Sequence, residues 1–304
     1  MTELDGDAEL RGLMFSIAYR MTGRVSEAED LVQDAFYRLE RARQSGAIVE
    51  SPKAYVAATT TRLAIDHLRS ARVRRESYVG TWLPEPIVTE LDQSPEATAE
   101  LSDSLSVAFL VLLESLSPVE RAVFLLREVF DYPYEDIADV VDRSEANCRQ
   151  IFGRARQHLS AHRSRFEVSS EQSRVLLESF LAAARGGDMN RLVDLLAADV
   201  AFCGDGGGKA TSLPQPVYGR DVVAPFLMTI FERVSLWGIT PEPSLVNGGP
   251  GIVNRDALGR IVSVLSFEVL DGVIQAVRSV VNPDKLEHLG PVSDALRLPS
   301  SDEG

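Results

Sequence analysis

Apolar residues recur every three or four positions along residues 7–76 and predict three helices. The first stripe consists of Leu10, Leu13, Met14, Ile17, Ala18 and Met21. We expect Ser26 to cap the second helix, with Glu29 at the capping-box position. The third helix follows Ser51 and Pro52, a typical start signal. This pattern predicts a small helical bundle.

Residues 134–159 carry two shorter apolar stripes with a break at Asp142 and Arg143. Ser144 is suited to cap the second helix of this pair, because its hydroxyl can accept a free backbone N–H. The polar and cationic face of that helix carries Asn147, Arg149, Gln150, Gly153, Arg154 and Arg156. Such a face suits a DNA major groove, where Arg and Gln bind base edges and phosphates. An amphipathic hairpin with a solvated basic face is the alternative.

The pattern changes after residue 170. Helical stripes occupy residues 172–186, 188–198 and 220–234. In the first of them the residues expected to face inward are Val175, Leu176, Ser179, Phe180 and Ala183. Alternating apolar segments follow, and Asp271 with Gly272 is a hairpin turn signal between two of them. Helices followed by antiparallel strands predict an α+β domain.

A length of 304 residues favours two or three domains. The net charge of −14 is unevenly distributed: residues 77–120 contain eight acidic residues and no basic residue. Arginines cluster instead within residues 69–75 and 143–165. Because affinity for nucleic acid depends on such local patches, the total charge does not exclude a DNA-binding protein.

Residues 77–104 contain three prolines, Pro84, Pro86 and Pro95, which exclude a long helix. We expect an extended acidic linker with Trp82 and Leu83 as apolar anchors, and a disordered tether is the alternative. Further along, residues 205–209 have the sequence DGGGK and residues 282–286 the sequence NPDKL. The spacing of DGGGK is not that of a phosphate-binding P-loop, and a flexible glycine turn is the alternative there.

Two cysteines and four histidines predict neither a disulfide framework nor a structural zinc site. The first residues lack the basic and apolar regions of a signal peptide, and no apolar run approaches a membrane span. We therefore expect a cytoplasmic protein without a membrane contact, a cofactor or a metal.

The segment AEDLVQDAFYRL, the third helix and the helix-turn-helix, in this order, resemble an extracytoplasmic-function sigma factor of the sigma-70 family. WLPEP at residues 82–86, DGGGK and NPDKL resemble a subgroup with a fused C-terminal SnoaL-like domain. The resemblance implies a multidomain chain of two all-α sigma modules and an α+β cone. The implied segments are sigma region 2 at 1–76, an acidic linker at 77–104, region 4 at 105–166, the SnoaL-like domain at 172–290 and a tail at 291–304.

The resemblance also implies binding roles for individual residues. Contact with the beta-prime clamp helices of core RNA polymerase falls to Asp30, Gln33, Asp34 and Arg38. Contact with the −10 promoter element falls to Tyr55, Arg62, Asp66, Arg69, Arg72, Arg74 and Arg75. Contact with the −35 element falls to Ser144, Asn147, Arg149, Gln150, Gly153, Arg154 and Arg156. Many members of the family have Asn in place of Arg62.

A regulatory contact within the chain is also implied, between the SnoaL-like domain and the sigma core or its linker. Its candidate residues are Trp82, Leu83, Pro84, Asp205, Gly206, Gly207, Gly208, Lys209, Asn282, Pro283, Asp284 and Lys285.

The expected function is that of an alternative sigma factor, which binds core polymerase and promoter DNA and has no enzymatic activity. A helix-turn-helix regulator with a small-molecule-sensing domain is the first alternative. An enzyme fused to a DNA-binding domain is the second, and it would need an oriented carboxylate such as Asp205 or Asp221 inside the cone.

Overall fold

The structure, a computed structural model, describes residues 3–46, 48–76, 78–90, 105–160 and 170–298. Contacts divide the chain into two units: residues 1–77 with 110–163, and residues 78–109 with 164–304. In the described ranges, no helix is both long and apolar enough to cross a membrane.

The first unit begins with the three predicted helices, α1 (Glu3–Thr22), α2 (Val25–Gln44) and α3 (Pro52–Glu76). Their apolar stripes meet in one core cluster, which includes Leu10, Met14, Val32, Ala35, Leu39 and Val56. The prediction that Ser26 caps α2 is wrong. The helix already begins at Val25, because Gly23 at φ +70° turns the chain directly after α1 and Arg24 is extended.

The rest of this unit contains the later part of α4 (Val107–Leu113) and three whole helices, α5 (Pro118–Glu128), α6 (Tyr134–Val141) and α7 (Glu145–Ser160). A capping box of Ser117 and Glu120 starts α5, and the hydrogen bonds from Ser117 lower the pKa of Glu120. Asp142, at φ +55°, ends α6 in the left-handed conformation. The Ser144 hydroxyl then accepts the Asn147 N–H at 3.3 Å, so the predicted break and cap are both present.

Two arginines join α1 to the later helices of this unit. Arg121 is 3% exposed and donates to the Met21 carbonyl and, at 2.9 Å, to Glu114 Oε1. The guanidinium of Arg20 lies over the Phe130 ring at 5.5 Å, and burial lowers its pKa to about 10. The three-helix bundle is therefore joined to α5 and the residues on either side of it through buried cations.

The second unit is an α+β fold, and its helices are α8 (Ser170–Gly186), α9 (Met189–Leu195) and α10 (Arg220–Leu236). Its strands are β1 (Val88–Thr89), β2 (Leu196–Asp205), β3 (Val217–Tyr218), β4 (Thr240–Val246), β5 (Gly249–Arg255), β6 (Ile261–Leu270) and β7 (Val273–Val280). They form one sheet in the order β1-β4-β5-β6-β7-β2-β3. Only the β2–β7 pairing of this described sheet is parallel. The predicted class, helical modules followed by an α+β domain, is confirmed.

The helices pack on the sheet through a core centred on Phe180 of α8. Its ring meets Phe267 of β6 at 4.9 Å and Phe231 of α10 at 5.4 Å, both edge-on. The prediction that Val175 faces inward is wrong, because the neighbouring Leu177 is fully buried and Val175 is 52% exposed. The helix predicted over 188–198 also ends early, at Leu195, since Leu196 begins β2.

Both ends of the second unit add backbone to the sheet. At one edge, β1 comes from the linker and pairs antiparallel with β4, Val88 opposite Val246. At the other end of the chain, Val292 bridges Ile261 and the Leu296 carbonyl accepts the Thr211 N–H at 2.8 Å. Residues before and after the cone are thus incorporated into its hydrogen bonding.

We predict that Arg121→Met lowers the free energy of unfolding of the helical unit by about 2–4 kcal/mol, because it removes the buried guanidinium that donates to the Met21 carbonyl and to Glu114. Arg43→Met is the matched control. Its ion pair with Glu40 is partly exposed, so we expect a loss below about 1 kcal/mol. Urea unfolding followed by circular dichroism measures both, and equal midpoints would contradict this role of Arg121.

Candidate functional site

The predicted DNA-binding face lies on α7. Cys148, Ile151, Ala155 and Leu159 are buried against the neighbouring helices. The opposite side exposes Arg149, Gln150, Gly153, Arg154 and Arg156, with Ser144 exposed at the start and Asn147 half-buried. The helix therefore presents one continuous polar and cationic strip.

Aromatic rings hold two of these arginines. The Arg149 guanidinium lies 4.6 Å from the centre of the Tyr134 ring and bonds Glu145 Oε2 at 2.6 Å. The Arg156 guanidinium lies 6.0 Å from the centre of the Phe152 ring. A Cβ at Gly153 would meet nothing within 4 Å, so packing inside the protein does not require a glycine there. Because glycine has no side chain, nothing projects from the strip at this position between its arginines.

A second surface lies on α2. Asp30, Gln33, Asp34 and Arg38 are all exposed, at helical spacing along one side. The other side of α2 is buried through Ala28, Leu31, Val32, Ala35 and Leu39. The four polar residues are therefore free of structural roles in the core and form one strip that a partner protein can reach.

A third group lies on α3, where the predicted −10 residues have different environments. Tyr55 is half-buried near α2, and Asp66 and Arg69 are exposed and 3.5 Å apart. Arg62 is exposed but also bonds a neighbouring helix. Its guanidinium donates to the carbonyls of Asp139 at 2.7 Å and Val140 at 3.2 Å. The side chains of Arg72, Arg74 and Arg75 lie outside the described part of the chain.

The carbonyls that bind Arg62 are at the C-terminal end of α6, where unpaired carbonyl groups and the helix dipole favour a cation. A predicted −10 residue is thus bonded to the first helix of the predicted −35 module. Arg62 remains exposed in this arrangement, with two of its five N–H groups bonded to α6.

The fourth site lies in the second unit, where Asp205 and Lys285 form a buried ion pair. Lys285 Nζ bonds Asp205 Oδ2 at 2.7 Å, and the two side chains are 2% and 0% exposed. Both groups also bond the linker. Asp205 Oδ2 accepts the Leu83 N–H at 2.8 Å, Asp205 Oδ1 accepts the Tyr78 hydroxyl, and Lys285 Nζ donates to the Leu83 carbonyl.

Aromatic rings of the linker complete the surroundings of the ammonium group. Lys285 Nζ lies 4.4 Å from the centre of the Trp82 ring and 4.9 Å from that of Tyr78. Residues 83–86 are buried, and Leu83 is 1% exposed. The DGGGK and NPDKL motifs therefore meet on the linker at WLPEP. We call residues 78–89, which include WLPEP, the docked segment.

Glycines make room for this contact. A Cβ at Gly207, which has φ +57°, would collide with the Asn282 amide and lie 3.0 Å from the Tyr78 hydroxyl. At Gly208, at φ +73°, a Cβ would press on Val79 at 3.2 Å. The Asn282 amide itself donates to the Tyr78 hydroxyl at 2.9 Å. The loop after β2 thus needs glycine both for its backbone conformation and for the approach of the linker.

Other candidates of the same motifs lie outside the contact. Lys209 bonds Asp284 at 2.5 Å, and both side chains are largely exposed. Gly206 faces Ala210, not the linker, and Pro283 begins a short 3-10 turn (Pro283–Lys285). The two remaining linker candidates, by contrast, are within the contact: Trp82 is half-buried and Pro84 is buried in the docked segment.

Sequence reasoning missed three residues that hold the docked segment. Besides Tyr78, Asn247 accepts the Ile87 N–H at 3.1 Å through Oδ1, and His288 Nε2 lies 2.8 Å from the Pro86 carbonyl. The available signal for two of them was proximity to the motifs, because Tyr78 precedes WLPEP and His288 follows NPDKL, whereas Asn247 lies near none of the motifs in sequence. Within the described residues, no group of three or more His, Cys, Asp or Glu side chains is placed to hold a metal.

Comparison with known proteins matches two family models: Sigma-70 region 2 over residues 8–74, and Sigma-70, region 4 over residues 106–159. The chain is 35% identical to the ECF RNA polymerase sigma factor SigJ of Mycobacterium tuberculosis, over 91% of this chain and 90% of that protein. It is 32% identical to the probable ECF sigma factor SigI of that organism, covering 92% and 93%. The crystal structure of M. tuberculosis SigJ superposes with a TM-score of 0.77 at 33% identity, covering 94% of this chain and 98% of that one.

We predict that Lys285→Met loosens the docked segment, because it leaves Asp205 buried without its cation, a change that typically costs about 3–5 kcal/mol. The chain has two tryptophans, so a Trp237→Phe background leaves Trp82 as the reporter. Its fluorescence should shift to longer wavelength as the ring enters water.

Lys209→Met in the same background is the control. It removes an exposed pair from the same two motifs without touching the linker, and we expect no shift. Unchanged emission in Lys285→Met would show that the ion pair does not hold the segment.

Proposed function

Because the chain belongs to the ECF RNA polymerase sigma factors, which direct transcription initiation by core RNA polymerase, we propose how its surfaces divide that task. The observation that carries the proposal is the exposed cationic strip of α7 in a chain with both sigma modules. We assign the −35 element to this strip, with Arg149, Gln150 and Arg154 at the bases or phosphates.

We assign the contact with core polymerase to the exposed strip on α2, which consists of Asp30, Gln33, Asp34 and Arg38. Its support is exposure combined with an inner face that is fully used by the core. We assign binding of the −10 element to α3, through Arg62, Asp66 and Arg69 and the arginines that follow them. We place this transcription initiation in the cytoplasm, where the polymerase is.

The second part of the proposal is regulation in cis by the SnoaL-like domain. The domain holds the docked segment of the linker between the two sigma modules through Asp205, Asn282 and Lys285. Because that linker sets how far the modules can separate, holding or releasing it changes which promoter complexes can form.

We further propose that the chain has no covalent chemistry of its own. Asp205, one of the acid-base candidates, is occupied by Lys285 and the linker. Asp221, the other, is exposed at the start of α10. Neither carboxylate lies in the cavity of the cone.

The −35 assignment predicts that Arg149→Ala and Gln150→Ala each weaken promoter binding by the holoenzyme roughly 5- to 100-fold, as expected for a side chain that recognises a base. The promoter is first identified by sequencing the DNA that the holoenzyme transcribes from a random library. Filter binding or footprinting then gives the affinities.

Arg174→Ala provides the control, since Arg174 is half-exposed on α8 and pairs with Glu178. It should bind as wild type does. The assignment fails if the α7 variants retain full affinity, or lose it equally on DNA whose −35 element has been scrambled.

Regulation in cis predicts that a chain truncated after Phe166 transcribes differently from the full chain with core polymerase in vitro. Lys285→Met should change transcription in the same direction, because both release the docked segment. Lys209→Met should match wild type. Identical transcription by all four proteins at every promoter would exclude this regulation, while leaving the sigma assignment intact.

A further inference from the structure

The SnoaL-like domain contains a cavity of about 390 Å³ between α10 and the sheet. Its wall is mainly apolar and aromatic, with Phe202, Phe226, Ile230, Phe231, Trp237 and Leu265 as the largest contributors. This size and composition are those of sites for small organic ligands. The Asp205–Lys285 contact is not part of the wall, so the cavity is separate from the docked segment.

The polar groups in the wall are few, and the deepest is an amide. Asn254 is 3% exposed and donates to the Ser263 hydroxyl at 2.8 Å. In the described part of the chain its Oδ1 accepts no hydrogen bond, although the atom is buried. A buried carbonyl oxygen without a donor is unfavourable by about 1–3 kcal/mol, so a ligand that supplies the donor gains affinity at this position.

The ionisable groups of the wall decide between catalysis and binding. The described wall contains no Asp, Glu, His, Cys, Lys or Tyr side chain. Its charged residues are Arg233 and Arg297, both largely exposed, and Arg297 is paired with Asp294. No general acid or base faces the cavity, and exposed arginines add little to affinity. The cavity is therefore suited to binding a neutral molecule.

We propose that this cavity binds a neutral, largely apolar ring compound with one hydroxyl group, and that Asn254 is the residue that selects the hydroxyl. A hydroxyl both donates and accepts, so it satisfies the amide of Asn254 beside Ser263 in either orientation of that amide. Aromatic contacts with the rings of Phe202, Phe226 and Trp237 supply the remaining affinity. The site goes beyond the proposed regulation and does not rest on it.

The test uses the full-length chain and two probes of nearly equal size, 2-naphthol and 2-methoxynaphthalene. Isothermal titration calorimetry should show 2-naphthol binding roughly tenfold more tightly, because only its hydroxyl can donate to the amide. Asn254→Leu should remove this preference while both probes still bind.

Ile230→Trp fills the cavity from α10 and should abolish binding of both probes. Val222→Trp is its control, at a 54% exposed position on the same helix, and should bind as wild type does. Should Ile230→Trp fail to fold, the comparison of the two probes in wild type and Asn254→Leu still decides. The proposal is overturned by no binding of 2-naphthol, by equal affinity of the probes in wild type, or by binding that a folded Ile230→Trp retains.

Discussion

The buried ion pair of Asp205 and Lys285 is the constraint on which the second unit depends. Moving a carboxylate and an ammonium group out of water costs several kcal/mol for each ion, and their mutual attraction offsets this only when the remaining hydrogen bonds are made. Here those bonds come from Tyr78 and Leu83 of the linker, with the Trp82 ring beside the ammonium group. Residues 83–86 of the linker are thus part of the buried interior of the second unit, and their removal would leave two buried charges undercompensated.

The loop after β2 extends this dependence across the domain. On one side, Gly207 and Gly208 lie against Tyr78, Asn282 and Val79. A few residues later, Thr211 and Leu213 form part of the cavity wall, and Thr211 bonds the returning C-terminal segment. One short loop therefore contacts the linker, the cavity and the C-terminal segment at Leu296.

Sequence periodicity predicted the helices well because each buries one apolar stripe. The exposed face of α7 followed directly from that pattern. Periodicity fails where apolar residues are contiguous: Val175, Leu176 and Leu177 leave the helix register open, and packing on the sheet selected Leu177. It also cannot rank the same residue type in two different motifs. Lys209 and Lys285 both lie in predicted clusters, yet only the tertiary fold brings Lys285 beside Asp205, 80 positions away.

The contact between Arg62 and α6 joins a residue proposed for the −10 element to the helix-turn-helix proposed for the −35 element. The Nε of Arg62 bonds the Val140 carbonyl and one of its Nη groups bonds the Asp139 carbonyl, so a −10 contact proposed for Arg62 uses the remaining N–H groups or replaces these two bonds. Two hydrogen bonds to an exposed cation contribute about 1–3 kcal/mol together, which a well-formed contact with DNA can replace. Arg62 therefore couples the two modules of the first unit. While it caps α6, the helix-turn-helix proposed for the −35 element is bonded to α3, the helix proposed for the −10 element.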